Sequence, residues 1–203
     1  MVVLSTKMIE NLNTLGNIEM SNNLFIVAGL HGSGKTTLIN KMLSEYNEDK
    51  LPFIYNPESK FAQFCRDTKT PRAKIIRTKL PEIILEEKQE MIDAISNGRD
   101  IFIDRTCLSV KGRIIFRENS RLKNFKKICH FILPPQNEDE DNILLERLKK
   151  RDQFDGLVSP DGIKEAKTLV QLPNLDEGYD KVCYYNITGS LLDFVPTYSN
   201  ENV

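Results

Sequence analysis

The chain has 203 residues, 40% of them hydrophobic, and its 28 basic and 29 acidic residues leave a formal net charge of −1. This length suits one domain with extensions, and the near-neutral charge excludes a protein whose whole surface attracts nucleic acid. The four cysteines are scattered without a C-x-x-C pair, so we expect reduced thiols, no zinc site and a cytoplasmic, intracellular location. No apolar stretch is long enough for a membrane span, so no membrane partner is expected.

The first segment of the chain is polar and weakly patterned. Residues 1–22 lack the apolar core of a signal peptide, so we interpret them as an N-terminal extension that the domain can dispense with. A small helix or an oligomer contact is the alternative for this segment. The domain itself is expected over 23–190, and 191–203 is predicted to be a loose C-terminal tail.

Beyond the extension, apolar segments with strand character alternate with segments of helical periodicity. The expected strands cover 24–28, 52–55, 100–104, 127–133 and 181–187. The expected helices cover 36–46, 81–96, 110–122, 141–151 and 160–172. Because strands that alternate with helices form βαβ units, the pattern predicts an α/β fold with a five-stranded parallel sheet and helices on both faces.

The turn between the first strand and the first helix carries the most specific motif in the chain. It reads Gly29-Leu30-His31-Gly32-Ser33-Gly34-Lys35-Thr36, which matches the phosphate-binding pattern G-x-x-x-x-G-K-[ST], known as Walker A. In this context Lys35 would reach the β- and γ-phosphates, and Thr36 would offer its hydroxyl to Mg²⁺. A chance glycine turn is the alternative. The pattern therefore predicts ATP and Mg²⁺ as cofactors, with the nucleotide held by Gly29, Leu30, His31, Gly32, Ser33, Gly34, Lys35, Thr36 and Thr37.

Two acidic residues lie at or just after predicted strand ends, where ligands bind in sheets of this kind. The third strand ends at Asp104 in the form of a Walker B motif, so Asp104 is expected to bind Mg²⁺ together with Thr36. A capping role for Asp104 is the alternative. Glu58 follows the second strand and could accept the proton of an attacking hydroxyl as a general base. Its alternative role is that of an acid in the first turn of a helix.

Basic residues near the fourth predicted helix suggest a lid. Arg147 and Arg151 are related as i and i+4, so they share one face of that helix. We expect a helical lid in which both arginines clamp the triphosphate and neutralise charge during transfer. A solvated basic helix end is the alternative.

A second group of basic residues lies between the second and third predicted strands. It could follow a nucleic acid backbone, although a solvated charged surface is an equal alternative. Its members are Lys60, Arg66, Arg72, Lys74, Arg77 and Lys79.

Several segments together resemble the P-loop kinases of the polynucleotide 5′-hydroxyl kinase group, which includes kinase domains of phage and animal DNA-end-healing enzymes. Residues 104–109 followed by Arg113 are similar to the family's D-[NT]-T-N-x-x-x-x-x-R segment, and 172–180 is similar to its P-x-x-x-E-G-[FY] signature. Residues 56–58 stand where the family has N-R-D. The resemblance implies a strand order of 2-3-1-4-5 and assigns the general base to Glu58.

The chain departs from the family pattern at three positions. Glu58 stands for the expected Asp, Pro57 for the expected Arg, and Cys107 for the usual Asn. Glutamate keeps the carboxylate but adds a methylene, so its reach toward an acceptor differs.

The sequence thus predicts an ATP-dependent kinase that transfers the γ-phosphate to a hydroxyl of a nucleic acid, in the first place DNA. The expected catalytic residues are Lys35, Glu58, Asp104, Arg147 and Arg151. Related P-loop kinases act on hydroxymethylated bases in phage DNA or on a nucleotide sugar, so a modified base or a small molecule is an alternative acceptor. A non-enzymatic ATP-binding switch is the other alternative. Whether Glu58 or Asp104 is the base stays open at this point.

Overall fold

The computed structural model describes residues 22–151, 154, 158–194 and 196. Strands and helices alternate along these residues, as the sequence predicts. The strands are β1 (Asn23–Ala28), β2 (Phe53–Tyr55), β3 (Ile101–Asp104), β4 (Lys126–Ile132) and β5 (Lys181–Tyr185). The helices are α1 (Lys35–Leu43), α2 (Pro57–Asp67), α3 (Arg72–Ser96), α4 (Val110–Arg117), α5 (Glu138–Lys149) and α6 (Pro160–Thr168). Most of the predicted extension 1–22 and of the predicted tail 191–203 lies outside the described residues.

The five described strands form one parallel sheet in the order β2-β3-β1-β4-β5, so the predicted order 2-3-1-4-5 is confirmed. β1 lies at the centre, where Leu24 pairs with Ile101 of β3 on one side and with Lys127 of β4 on the other. The fully buried side chains of β1 are Leu24, Ile26, Val27 and Ala28. A central strand of a parallel sheet is covered on both faces, which is why β1 is a continuous apolar run.

Helices cover both faces of the sheet. On one face, Leu24 of β1 and Met91 of α3 belong to the larger hydrophobic cluster. On the other face, Val27 of β1 belongs to a smaller cluster with Leu38 and Ile39 of α1. Because all strands run in the same direction, their carboxyl ends share one edge of the sheet, and the loop from β1 to α1 lies at that edge.

Helix α2 is the first difference between the predicted and observed elements. The sequence offered a helix at this position only as the alternative explanation of Glu58. Asn56 begins the helix, because its side-chain Oδ1 accepts a hydrogen bond from the backbone N of Ser59 at 3.0 Å, and Pro57 follows at the first helical position. α2 packs on α3 through a small cluster that includes Phe61.

Helix α3 is the second difference. The expectation that a helix begins at Pro81 was wrong, because α3 begins at Arg72 and continues through Pro81. A proline inside a helix removes one backbone N–H donor and clashes with the carbonyl of the preceding turn. Pro81 is exposed, but the neighbouring Ile83 is buried in the cluster between α2 and α3. Packing of α3 on α2 therefore outweighs the local penalty of the proline.

The remaining elements lie where the sequence predicts them and differ only in their bounds. None of the helices in the described part of the chain is both long enough and apolar enough to cross a membrane.

We predict that Pro81→Ala stabilises the protein. Alanine restores the missing N–H donor of α3, and the exposed proline ring has little packing to lose. The free energy of unfolding, measured by urea denaturation, should rise by about 1–3 kcal/mol. Lys88→Ala, at another exposed position of α3, is the control and should change it by less than about 0.5 kcal/mol. Unchanged or lower stability of Pro81→Ala would contradict the prediction.

Candidate active site

The predicted phosphate loop connects β1 to α1 at the carboxyl edge of the sheet. Gly32 and Gly34 have φ angles of 78° and 104°, in the left-handed region that favours glycine. A Cβ atom on Gly32 would also lie 3.1 Å from side-chain atoms of Leu144 and Leu148 on α5. The loop conformation therefore needs glycine, both for the backbone angle and for the close approach of α5.

Lys35 is half-buried at the start of α1, and its ammonium group turns back toward the loop. Nζ donates hydrogen bonds to the carbonyl oxygens of Leu30 at 2.8 Å and Gly29 at 3.1 Å. The pKa of Lys35 is lowered to about 8, because burial disfavours the charged ammonium more than the nearby Asp104 stabilises it, and the positive charge of Arg151 adds to the lowering. A bound phosphate would supply the negative charge that stabilises this ammonium.

Asp104 lies at the end of β3 and is 5% exposed. Its Oδ2 accepts hydrogen bonds from Thr36 Oγ1 at 3.0 Å and from Asn56 Nδ2 at 2.7 Å. Mg²⁺ in phosphate-transfer sites binds to one or two protein oxygens together with waters and substrate phosphates. The oxygens of Asp104 and Thr36 would therefore suit Mg²⁺, and their role as its ligands stays a prediction.

The two predicted lid arginines lie beside the phosphate loop. Arg147 of α5 donates from Nη1 to the carbonyl oxygens of Ser33 at 3.1 Å, Gly32 at 3.4 Å and Ile187 at 2.9 Å. Through these hydrogen bonds Arg147 connects the phosphate loop to the segment that follows β5. Arg151 follows α5, and among the described residues its buried Nη1 has no hydrogen-bond partner.

Glu58 lies in the first turn of α2 and forms an ion pair with Arg72, the first residue of α3. The guanidinium carbon of Arg72 lies 4.8 Å from the ring centre of Phe61, which adds a cation–π contact. Arg72 Nη1 is buried and has no hydrogen-bond partner within the described part of the chain. The ion pair therefore fixes the orientation of the Glu58 carboxylate and leaves Nη1 of Arg72 without a hydrogen bond among the described residues.

A cavity of about 870 Å³ brings the predicted site residues together. Its volume is within the range of roughly 300–1,000 Å³ that is typical of small-molecule sites. Gly29 and Leu30 do not line it, because they lie below the loop surface and offer their carbonyls to Lys35. The predicted residues that line the cavity are His31, Gly32, Ser33, Gly34, Lys35, Thr36, Thr37, Glu58, Asp104, Arg147 and Arg151.

His31 belongs to the same cavity wall. Although the His31 side chain is exposed at the cavity wall, the surrounding protein partly removes it from water and, with the nearby cations Lys35 and Arg151, lowers its pKa to about 4. The imidazole is therefore neutral near pH 7 and can both donate and accept a hydrogen bond toward a bound ligand.

The basic stretch that could follow a nucleic acid backbone is partly paired with acidic residues. Lys60 pairs with Glu90 at 2.7 Å, and Lys79 pairs with Glu82 at 3.0 Å. Arg72 is occupied by the ion pair described above. These contacts reduce the positive charge that the stretch would offer to phosphates.

The two segments that carry the family resemblance meet inside the protein. Arg113 of the first segment is fully buried, and its guanidinium forms an ion pair with Glu177 of the second at 2.5 Å. Arg113 also donates to the carbonyl oxygens of Cys107 and Leu108, both at 3.1 Å. None of these four residues lines the cavity.

Sequence reasoning did not assign a site role to Asn56 and placed Arg72 only in the basic stretch. A signal for Asn56 was available, since asparagine directly before proline is typical of a helix N-cap. No comparable signal links Arg72 to Glu58, because that pair forms only when α3 packs against α2.

Two solved structures have a similar fold. One is a candidate kinase from Chloroflexus aurantiacus J-10-fl, with a TM-score of 0.57 and 17% identity over 84% of this chain and 87% of that chain. The other belongs to the PezAT chromosomal toxin–antitoxin system of the human pathogen Streptococcus pneumoniae, with a TM-score of 0.52 and 14% identity over 92% of this chain and 77% of that chain. No protein-family model and no curated protein matches the chain. The chain therefore shares the five-stranded parallel α/β fold of these two structures, and membership of the polynucleotide kinase group stays a prediction.

The lowered pKa of Lys35 predicts that ATP binds more weakly at alkaline pH. Without ligand, Lys35 loses its charge as the pH rises through about 8, whereas a bound triphosphate would raise its pKa. Binding above pH 8 then takes up a proton, and Kd should rise by up to about tenfold per pH unit. The Kd for ATP at each pH is measured by calorimetric titration in metal-free buffers from pH 7.5 to 9.5.

The control for that titration is Lys35→Arg, because arginine keeps its charge throughout this pH range. Its Kd should stay nearly constant over the same interval. A wild-type Kd that is equally constant would show that Lys35 does not bind the triphosphate in its charged form.

Proposed function

We propose that this protein is an ATP-dependent kinase that transfers the γ-phosphoryl group to a hydroxyl of a nucleic acid. The observation that carries the proposal is one cavity whose wall includes both the phosphate-loop residues Lys35 and Thr36 and the carboxylate of Glu58. A kinase needs a triphosphate site and a group that orients the acceptor, whereas a nucleotide-binding switch needs only the former. The P-loop kinase-like fold supports the same class of reaction.

The donor half of the reaction is assigned to the phosphate loop and to the arginines beside it. Backbone N–H groups at the start of α1, together with Lys35, bind and orient the phosphates. Thr36 and Asp104 would hold Mg²⁺, which when bound neutralises charge on the phosphate oxygens. Arg151 lines the cavity beside the phosphate loop, and its guanidinium would donate to the transferring group. Arg147 keeps the loop carbonyls in place.

The acceptor half is assigned to Glu58 as general base. Its side chain is 39% exposed, so the carboxylate can receive the proton of an acceptor hydroxyl as the oxygen attacks the γ-phosphorus. Asp104 is the weaker candidate, because it is 5% exposed and its carboxylate is assigned to Mg²⁺. Arg72 orients Glu58 and so favours attack in line with the leaving ADP.

A nucleic acid acceptor is supported by the cations on the acceptor side of the cavity. Arg105 and Arg72 both line it, Arg72 as the partner of Glu58. Phosphates that flank the reacting hydroxyl in a DNA strand would bind to such groups. The resemblance to polynucleotide kinases favours the same acceptor.

A small anionic molecule, such as a nucleotide sugar, is the second candidate acceptor. Lys60 and Lys79 are paired with acids, so the 60–79 region offers less charge to an extended backbone. A compact acceptor would need only the arginines that line the cavity.

We predict that Glu58→Gln separates catalysis from nucleotide binding. Glutamine keeps the shape of the side chain but cannot take up a proton, so turnover should fall by about 10²–10⁴-fold. Affinity for ATP, measured by calorimetry, should stay close to the wild-type value. Glu82→Gln, an exposed acid of α3 that does not line the cavity, is the control and should leave both quantities unchanged. An unchanged turnover in Glu58→Gln would assign the base to Asp104.

The acceptor is tested by transfer of labelled phosphate from ATP at 50 and 200 mM salt. The acceptors are 5′-hydroxyl DNA, 5′-hydroxyl RNA, DNA with hydroxymethylated bases, nucleosides and nucleotide sugars. We expect DNA to react fastest, with kcat/KM for DNA falling about tenfold or more at the higher salt because phosphate contacts are screened. Lys35→Ala should be inactive with every acceptor, which controls for contaminating kinases.

Two results of this screen would contradict a nucleic acid kinase. Salt-insensitive transfer to a nucleoside or nucleotide sugar would favour the small-molecule kinase. ATP binding without transfer to any acceptor would favour the nucleotide-dependent switch.

A further inference from the structure

Arg113 is fully buried, which is unusual for a guanidinium group, and each of its nitrogens has a partner. Nε and Nη2 donate to the two carboxylate oxygens of Glu177 at 3.0 and 2.5 Å. Nη1 donates to the carbonyl oxygens of Cys107 and Leu108, each at 3.1 Å. One side chain of α4 therefore ties the segment before β5 to the loop between β3 and α4.

That loop has an unusual backbone conformation. Cys107 has a φ angle of 42°, in the left-handed region that non-glycine residues seldom adopt. Such a conformation persists only where surrounding contacts impose it. The bonds from Arg113 to the carbonyls of Cys107 and Leu108 are contacts of this kind, because they fix the peptide planes on the C-terminal side of the strained residue.

The same loop leads directly into the candidate active site. Asp104, Arg105 and Thr106 all line the cavity. The carbonyl oxygen of Thr106 also accepts a hydrogen bond from the backbone N of Gly29 at 2.9 Å, so the loop is joined to the first residue of the phosphate loop. A shift of Cys107 would therefore move both Asp104, the proposed Mg²⁺ ligand, and the start of the phosphate loop.

Glu177 is held in place independently of Arg113. It ends a short 3-10 helix, Leu175–Glu177, and its backbone N donates to Asn174 Oδ1 at 3.2 Å. Arg117 Nη1 lies 3.5 Å from Glu177 Oε2 on the outer side of the pair. The carboxylate therefore presents a fixed acceptor to Arg113.

We propose that Arg113 and Glu177 are positioning residues, which hold the loop 104–109 in the conformation that phosphoryl transfer requires. This inference rests on the proposed kinase function. Stability alone does not explain the pair, because a buried ion pair can often be replaced by apolar side chains of similar volume without loss. Apolar side chains cannot donate hydrogen bonds to the carbonyls of Cys107 and Leu108. An apolar replacement could therefore keep the stability of the fold but could not hold the loop in this conformation.

Two variants separate positioning from stability. Arg113→Lys keeps a positive charge opposite Glu177, but a single ammonium cannot bind both the carboxylate and the two carbonyls with the geometry of a guanidinium. The double variant Arg113→Met/Glu177→Leu removes both charges and keeps the volume close to that of the native pair. Lys111→Met is the control, since Lys111 is an exposed cation of the same helix and lies outside the Arg113–Glu177 pair.

Three quantities are measured for each variant: the melting temperature, the turnover with saturating ATP, and the amide hydrogen exchange rate of Gly29. We expect turnover to fall at least tenfold and Gly29 to exchange at least tenfold faster in both folded variants, while amides of β1 and β4 keep their protection. The control should stay within twofold of the wild type in turnover and exchange.

Either of two results would overturn the proposal. One is a folded variant at position 113 whose turnover and Gly29 exchange are within twofold of the wild type. The other is loss of the fold in both variants, which would assign the pair to the fold itself. Absence of transfer by the wild-type protein would overturn the proposed function instead, and exchange at Gly29 would then still decide whether the pair holds the loop.

Discussion

The hydrogen bonds that converge on one carboxylate oxygen of Asp104 hold the candidate site together. Thr36 at the start of α1 and Asn56 before α2 both donate to Oδ2. The loops that follow β1 and β2 are therefore joined to the end of β3. This convergence requires β3 to lie between β1 and β2, as it does in the sheet. Because neighbouring strands lie only about 4.8 Å apart, side chains from three adjacent strand ends can meet at one atom.

Arginines stabilise the loops around this junction. Arg147 donates to carbonyls of the phosphate loop, and Arg113 donates to carbonyls of the loop after β3. Loop carbonyls lack the partners that strands and helices provide, and a buried guanidinium needs several acceptors. The guanidinium groups of these arginines therefore supply hydrogen-bond donors to the loop carbonyls, and the carbonyls supply acceptors to the guanidinium groups. Arg72 differs, because its described hydrogen bond goes to the side chain of Glu58, and its buried Nη1 has no hydrogen-bond partner among the described residues.

The elements that were predicted well are those with strong local signals. The strands are apolar runs because both faces of a parallel sheet are covered, and Gly29 to Thr36 matches a motif whose spacing follows from phosphate binding. The region between β2 and β3 was predicted poorly. Pro81 signals a helix start when only local propensity is considered, yet α3 extends through it because Ile83 and its neighbours pack on α2.

Local patterns in the sequence are sufficient to predict the alternation of strands and helices, the phosphate loop, and the residue types that ATP and Mg²⁺ would need. These properties depend on local periodicity and on motifs in which neighbouring residues act together. Tertiary packing, in contrast, brings Arg72 to Glu58, Arg147 to the carbonyls of the phosphate loop, and Arg113 to Glu177. The partners in these contacts lie on different elements, so their meeting depends on how helices pack and how strands are ordered, which no local pattern contains.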